Sequence, residues 1–241
     1  MTSRRNLFAR RIALVAGGTG GLGRAVSLAF LENGANVVAT YRSPGDFARL
    51  VTAAGESAAR LEGRSVDVTV EPAARELVES VVGRHGRLDA LVNTVGGYGG
   101  GRLWEQDAEL LDRMLDLNLR SGFVLARAAV PAMLRQRNGA IVNVASKAAV
   151  DHGAGVASYA ASKAAALAMM DSLASDLKGT GVRVNTILPS VIDTDANRKA
   201  MPAANFGTWP KPDEIARVVL FLCSDDATVV HGAAIPVYGN L

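Results

Sequence analysis

The stretch Ile12-Ala13-Leu14-Val15-Ala16-Gly17-Gly18-Thr19-Gly20-Gly21-Leu22-Gly23 decides the fold of this 241-residue chain. Its five apolar residues read as a short buried strand, the glycines as a tight turn, and the amphipathic stretch that follows to about Asn33 as a helix. A second run, Asn36 to Tyr41, completes a strand-helix-strand unit. Gly17, Gly21 and Gly23 have the spacing G-x-x-x-G-x-G. Glycines let the backbone take positive φ and come close to a phosphate, whose charge the helix amides and dipole then hold. Gly17, Thr19, Gly20, Gly21, Leu22 and Gly23 are therefore candidates for cradling a dinucleotide. A glycine-rich turn without a ligand is the alternative, and the flanking strand and helix argue against it.

Beyond this unit, strands and helices keep alternating. A third strand is expected to end at Asp67-Val68, and further strands to run over Ala90 to Asn93, Gly139 to Val144, Arg183 to Leu188 and Ala233 to Val237. Helices are expected near 71 to 84, 107 to 135, 156 to 178 and 212 to 223. That order predicts an α/β fold, a Rossmann-type doubly wound parallel sheet of about seven strands with helices on both faces. With no linker and no repeat, residues 1–241 read as one domain. Ligands of such sheets bind outside the carboxyl ends of the strands, where Gly17, Asn93, Ser146 and Pro189 all fall.

The formal charge of +3 traces to a basic start, Arg4, Arg5, Arg10 and Arg11, which reads as a solvated tail and strand flank rather than a nucleic-acid arm. Cys223 stands alone in an apolar run and reads as a small buried side chain, so no disulfide framework is expected. The start of the chain lacks the apolar core of a signal peptide, and no stretch is long and apolar enough to span a bilayer. A cytoplasmic protein with no nucleic-acid or membrane partner is the expectation. His85, His152 and His231 are scattered without ligand spacing, and no metal is expected; His152 follows Ser146 closely enough to border the same region.

The chemistry-bearing residues lie further along the chain. Tyr159 follows Ser146 by thirteen positions, and Lys163 follows Tyr159 by four, on a stretch that reads as a helix. Residues four apart on a helix share a face, so the Lys163 ammonium can sit beneath the Tyr159 phenol. A phenol with an ordinary pKa near ~10 must come down by roughly three units, about 4 kcal/mol, to exchange protons easily at neutral pH. One ammonium at ~4 Å and an effective dielectric of ~20 supplies roughly that much.

With both motifs in place, the chain resembles the short-chain dehydrogenase/reductase family over nearly its whole length. Other positions carry the likeness: Asp67-Val68; Asn93-Thr94-Val95-Gly96, similar to the family's Asn-Asn-Ala-Gly; Asn118 in Leu117-Asn118-Leu119; and Ile141 to Ser146. It departs at Ala16, at Thr94-Val95 and at Pro189-Ser190, where the family usually has Thr, Asn-Ala and Pro-Gly. The resemblance implies hydride transfer between a nicotinamide and a substrate carbon. Ser146 would bond the substrate oxygen and Tyr159 would pass the proton. Lys163 would tune Tyr159 and reach the ribose hydroxyls, and Asn118 would hold a water linking Lys163 to solvent. Cofactor contacts are implied for Asp67 and Val68 at the adenine, for Asn93 and Gly96, and for Pro189, Ile192 and Thr194 near the carboxamide or pyrophosphate. Family members commonly pair helices across a two-fold axis. The small residues Ala157, Ala161, Ala165, Ala168 and Ser172 then mark a subunit face of a homodimer or homotetramer; on spacing alone, packing against the chain's own sheet serves equally.

At the end of the second strand, where an NAD-type member places a carboxylate, stand Tyr41 and Arg42. A guanidinium there attracts a 2′-phosphate, so NADP(H) is favoured over NAD(H), with Thr40 and Ser43 as secondary contacts; a solvated loop arginine is the alternative. The segment from Ser190 to Trp209, closed by Pro210, reads as a mobile lid over the substrate, or alternatively as a rigid insertion with a short helix. Tyr98, Trp104, Val150, Ile192, Met201, Phe206 and Trp209 would line an apolar pocket. The chain therefore reads as an NADP(H)-dependent carbonyl reductase or alcohol dehydrogenase acting on a neutral substrate. One alternative is a 3-oxoacyl-carrier-protein reductase with Arg102, Arg198, Lys199 and Lys211 as a basic rim; another is a non-catalytic nucleotide-sensing regulator.

Overall fold

Seven strands, β1 (Ile12–Ala16), β2 (Asn36–Tyr41), β3 (Leu61–Ser65), β4 (Ala90–Asn93), β5 (Gly139–Val144), β6 (Val182–Pro189) and β7 (Ala234–Val237), form one sheet in the computed structural model, which describes residues 7–240. All neighbours are parallel, in the order β3-β2-β1-β4-β5-β6-β7. The chain therefore winds outward in one direction from β1 and returns to start again at β4. Above that reversal the connections leave a crevice at the carboxyl ends.

Successive strand side chains point to opposite faces, and both faces are covered, which is why β1, β4 and β5 are buried throughout. Ala13 and Val15 pack with Val26 and Phe30 of α1 (Gly21–Glu32) and with Ile215 and Val219 of α8 (Pro212–Cys223). Ile12, Leu14 and Ala16 pack on the other side with α3 (Glu71–His85), α5 (Ser121–Gln136) and α6 (Ala157–Asp176). Cys223 is buried, and burial pushes its thiol up to about 12. Among the described residues, no helix is long and apolar enough to cross a membrane.

The structure corrects four expectations. A helix not foreseen, α2 (Pro44–Ala54), follows β2; its signal was present in Ser43, which accepts a hydrogen bond from the Asp46 amide, and in Pro44 at the first turn. The third strand stops at Ser65, so Asp67 and Val68 lie in the turn beyond it. The single helix expected over 107 to 135 is broken: α4 (Ala108–Leu115) passes into α5 through one wide turn of the π type, Asp116–Arg120. Arg4 and Arg5 lie outside the described residues, while Arg11 is no free flank; it pairs with Asp225.

The turn between β1 and α1 is set by crowding. Gly17 has φ of 73°, and its N–H donates to Thr40 Oγ1 at 2.8 Å, tying β2 to the turn. A methyl on Gly23 would collide with the Gly17 carbonyl oxygen, whereas one on Gly20 would come no closer to that oxygen than 3.4 Å. Gly23→Ala is therefore expected to force α1 away from β1, costing about 2 kcal/mol or more by overpacking, while Gly20→Ala should cost less than about 1 kcal/mol. Urea unfolding of the two variants checks this, and equal midpoints would count against it.

Candidate active site

Ser146 stands two residues beyond β5, and Tyr159 and Lys163 lie on successive turns of α6. The Ser146 hydroxyl accepts from the Ala148 amide at 3.1 Å and faces the Tyr159 phenol closely enough to lower its pKa. Lys163 is 5% exposed, and its ammonium donates to the Val144 carbonyl at 2.9 Å. Helical spacing thus places both side chains on one side of α6, but the lysine stem runs inward to the end of β5 while the phenol turns to Ser146. Burial pushes the Tyr159 phenol up, the Ser146 hydroxyl offsets part of that rise, and Tyr98 adds to it. The expected lowering of Tyr159 by Lys163 is not found. Instead it is Lys163 that is depressed, to about 8, by desolvation.

Asn118 reaches the same centre because of the wide turn. The extra residue in that turn carries its side chain inward, where only 2% remains exposed. Its amide forms a reciprocal pair with Gly97, accepting from the N–H at 2.9 Å and donating to the carbonyl at 3.0 Å, and also donates to Ser162 Oγ at 3.0 Å. The side chain thus holds the glycine segment after β4 against α6. Gly96 lies between Asn118 and Lys163: a methyl there would sit 2.8 Å from Asn118 Oδ1 and 3.1 Å from Lys163 Nζ. Asn93 is buried and donates to Asn143 Oδ1 at 3.1 Å across the β4–β5 pair, while its own oxygen accepts from the Val95 amide. It braces the strand ends.

The nucleotide side is built around α1. The helix starts at Gly20 with no side-chain cap and no acidic residue in its first turn, and Thr94 Oγ1 donates to the Ala16 carbonyl at 2.7 Å to hold the turn against β4. An uncapped helix start facing a crevice, approached by a turn free of large side chains, fits the pyrophosphate of a dinucleotide. Asp67 accepts from both the Thr69 amide and its hydroxyl, which holds its carboxyl below the usual range, and Val68 is buried beside it. Tyr41 stacks on Phe47 with ring centroids 4.8 Å apart, and Arg42 is exposed. Thr40 is withdrawn as a phosphate contact: it is 3% exposed, and its hydroxyl is taken by the Gly17 amide. Ser43 is the cap of α2.

The segment after β6 is not a bare loop. It carries a short helix, α7 (Asp195–Ala200), capped by Thr194, while Asn197 donates to the Ile192 carbonyl and Arg198 grips Asp193. Ser190 Oγ donates to the Tyr238 carbonyl, and the Asp193 amide donates to the Pro210 carbonyl, fastening both ends. Thr194 lies against the start of α1, 2.7 Å from where a methyl on Gly21 would be, and Pro189 is buried at the end of β6. Ile192 packs into the core on the α1 side. Trp209 is 7% exposed and lines a cavity with Lys211 and Arg217. Tyr98, Trp104, Val150 and Met201 are exposed. His152 is exposed and bonds the Ala149 carbonyl. The residue that spacing did not single out for the site is Gln106, which links Ser158 to Gly101. On α6, Ala161, Ala168 and Ser172 are exposed while Ala160, Ala166 and Met170 are buried, so the small-residue stripe faces away from the sheet.

A family model described as short chain dehydrogenase matches residues 11–205. The 3-oxoacyl-[acyl-carrier-protein] reductase FabG of Thermotoga maritima is 34% identical over 239 residues, covering 96% of this chain and 97% of that protein. The 2-(S)-hydroxypropyl-CoM dehydrogenase 3 of Xanthobacter autotrophicus is 31% identical over 250 residues, covering 98% of each. Among solved structures, an NAD+-bound xylitol dehydrogenase superposes with a TM-score of 0.89 at 26% identity, covering 96% of this chain and 99% of that one.

The depressed Lys163 makes stability depend on pH. Its ordinary value is 10.5 and its folded value about 8, so between those limits the unfolded chain binds more protons and stability rises with pH. The rise should reach about 2 kcal/mol by pH 10. Cys223, raised from 9.0 to about 12, acts with the opposite sign from about pH 9, and Tyr159, raised above its ordinary 10.0, from about pH 10, so the Lys163 contribution is read as the difference between wild type and a variant lacking it. Lys163→Met should remove the rise. Urea unfolding of cofactor-free protein across pH 8 to 10 checks it; parallel curves for the two proteins would refute it.

Proposed function

This chain belongs to the short chain dehydrogenase family and is an NAD(P)-binding oxidoreductase, and on that premise we propose that it is an NADP(H)-dependent carbonyl reductase, or alcohol dehydrogenase in reverse, acting on a neutral carbonyl compound. The observation that carries this reading is the convergence of Ser146, beyond β5, and Tyr159, on the first turn of α6, with Tyr159 kept protonated by burial while Ser146 draws its pKa back. A neutral phenol is the form needed to donate a proton to a carbonyl oxygen. Ser146 would hold that oxygen, and Tyr159 Oη would deliver the proton. When bound, the nicotinamide cofactor supplies the hydride.

Gly17, Thr19, Gly20, Gly21, Leu22, Gly23, Asp67, Val68, Asn93, Gly96, Lys163, Pro189, Ile192 and Thr194 would hold the cofactor, with Thr194 over the start of α1. Asn118 would order the glycine segment beside Lys163, from which a proton path to solvent can run. The segment 190–210 would cover the substrate. The outward small-residue face of α6, next to exposed Phe123 on α5, supports pairing of two copies.

A second reading, reduction of a 3-oxoacyl thioester on an acidic carrier, is favoured by the likeness to the Thermotoga protein. The rim it needs is partly engaged, however. Arg198 is paired with Asp193 and lies over Phe206, and Arg102 lies over Trp104. We favour a free, largely apolar ketone, for which kcat/KM should be nearly indifferent to salt, and Tyr159→Phe should abolish turnover with cofactor affinity kept. Assays of a ketone panel and a carrier-borne thioester across a salt series decide between them. Preference for the carrier with a steep salt slope would establish the second reading.

The NADP(H) preference rests on exposed Arg42 directly after β2, with no carboxylate at the strand end to repel a 2′-phosphate. Arg42→Ala is expected to lower kcat/KM for NADPH by about tenfold or more, a charge-assisted contact being worth roughly 1.5–3 kcal/mol, and to leave NADH little changed. A clear NADH preference in wild type that survives the substitution would overturn the assignment.

A further inference from the structure

Residues 96–101 read Gly-Gly-Tyr-Gly-Gly-Gly, six positions with one large side chain. The glycines are not slack. A methyl on Gly97 would come 2.8 Å from Leu117 Cδ1, one on Gly99 would collide with Leu110, and one on Gly100 would come 3.1 Å from the Gly155 carbonyl oxygen. The segment therefore lies flat on α4 and the wide turn after it, as close as backbone can lie. It is stitched down as well. The Gly101 amide donates to Gly155 O at 2.9 Å, Gln106 Nε2 donates to Gly101 O at 2.6 Å, and Ser158 Oγ donates to Gln106 Oε1 at 2.5 Å. Ser158 is the residue before Tyr159, so these bonds fasten the segment to the first turn of α6.

From this seat Tyr98 projects onto Tyr159, ring centroids 5.1 Å apart and planes at 66°, while 69% of Tyr98 stays exposed. A large aromatic left mostly in water, yet set edge-to-face on another ring by its own backbone, is placed by the segment and not by burial. We propose that Tyr98 is a positioning residue: its ring, held by a backbone seat built of glycine, fixes the Tyr159 phenol toward Ser146 and shields it from water. The inference rests on Tyr159 being the proton donor of the proposed reaction. Around Tyr159 stand the Ser146 hydroxyl beyond β5, the Lys163 ammonium one turn along α6, and Tyr98, whose own phenol, once ionised, repels a second phenolate at Tyr159.

The test compares wild type, Tyr98→Phe and Tyr98→Ala. In the alanine variant, kcat for carbonyl reduction is expected to fall about tenfold, with cofactor affinity unchanged. The alkaline limb of its pH profile should move to lower pH, because a phenol with more water around it ionises more easily. The phenylalanine variant, which keeps the ring, should restore both. The same group is read without turnover by ultraviolet titration of phenolate, each protein against its own Tyr159→Phe counterpart. A lower melting temperature in the alanine variant with an unmoved Tyr159 titration would show a merely structural role and overturn the proposal, as would a phenylalanine variant as impaired as alanine. If wild type binds cofactor yet reduces no carbonyl compound, the functional reading fails, while the titration still judges Tyr98.

Discussion

The close approach of α1 to the end of β1 is the constraint on which the rest of the molecule depends. Gly23 sits against the Gly17 carbonyl with no room for a side chain, and Thr94 and Thr40 tie the same turn to β4 and β2. This brings three strand ends and one helix start to a single point, at the place where the strand order reverses. A crevice there follows from topology, and a positive helix end opening into it follows from chain direction. A phosphate-bearing cofactor is the ligand such a place suits.

A second constraint acts a short distance away. Lys163 is a buried cation whose ammonium donates to Val144 O and whose pKa is lowered by desolvation. Leaving it there costs stability at neutral pH, and proteins tolerate such a cost where the group serves function. The wide turn at Asp116–Arg120 belongs to the same arrangement. It interrupts a long helix to turn Asn118 inward, and Asn118 in turn orders the glycine segment on which Tyr98 is mounted. Polar groups that would be liabilities in a core are here linked into one web behind the Ser146–Tyr159 pair.

The substrate side is governed by different physics. The elements proposed to face substrate are an exposed aromatic segment after β4, fastened by hydrogen bonds, and a helical segment after β6, fastened by hydrogen bonds, by the packing of Ile192 and by the burial of Trp209. Such elements tolerate changes of side chain without disturbing the sheet, which is how a single scaffold supports different substrates. Trp209, 7% exposed, anchors the segment after β6 from within.

Much of this was legible in the chain itself. Strand limits, the glycine turn and the Ser146, Tyr159 and Lys163 set depend on local patterns: apolar runs, glycine spacing, and four residues per helical turn. The helix α2 is legible too, in its capping serine and first-turn proline. Local pattern could not tell where a flexible side chain ends up once the chain is packed. The four-residue spacing put Lys163 under Tyr159, but the position of the β5 carbonyl and the depth of burial sent its ammonium elsewhere and depressed it in place of the phenol. Nor could it show the wide turn at Asn118, or that Thr40 is consumed inside the fold. By itself the sequence determined which elements form and in what order, because those depend on neighbours a few residues apart. Tertiary structure alone decided which polar groups meet and at what electrostatic cost, because those partners lie tens of residues away and desolvation has no local signature.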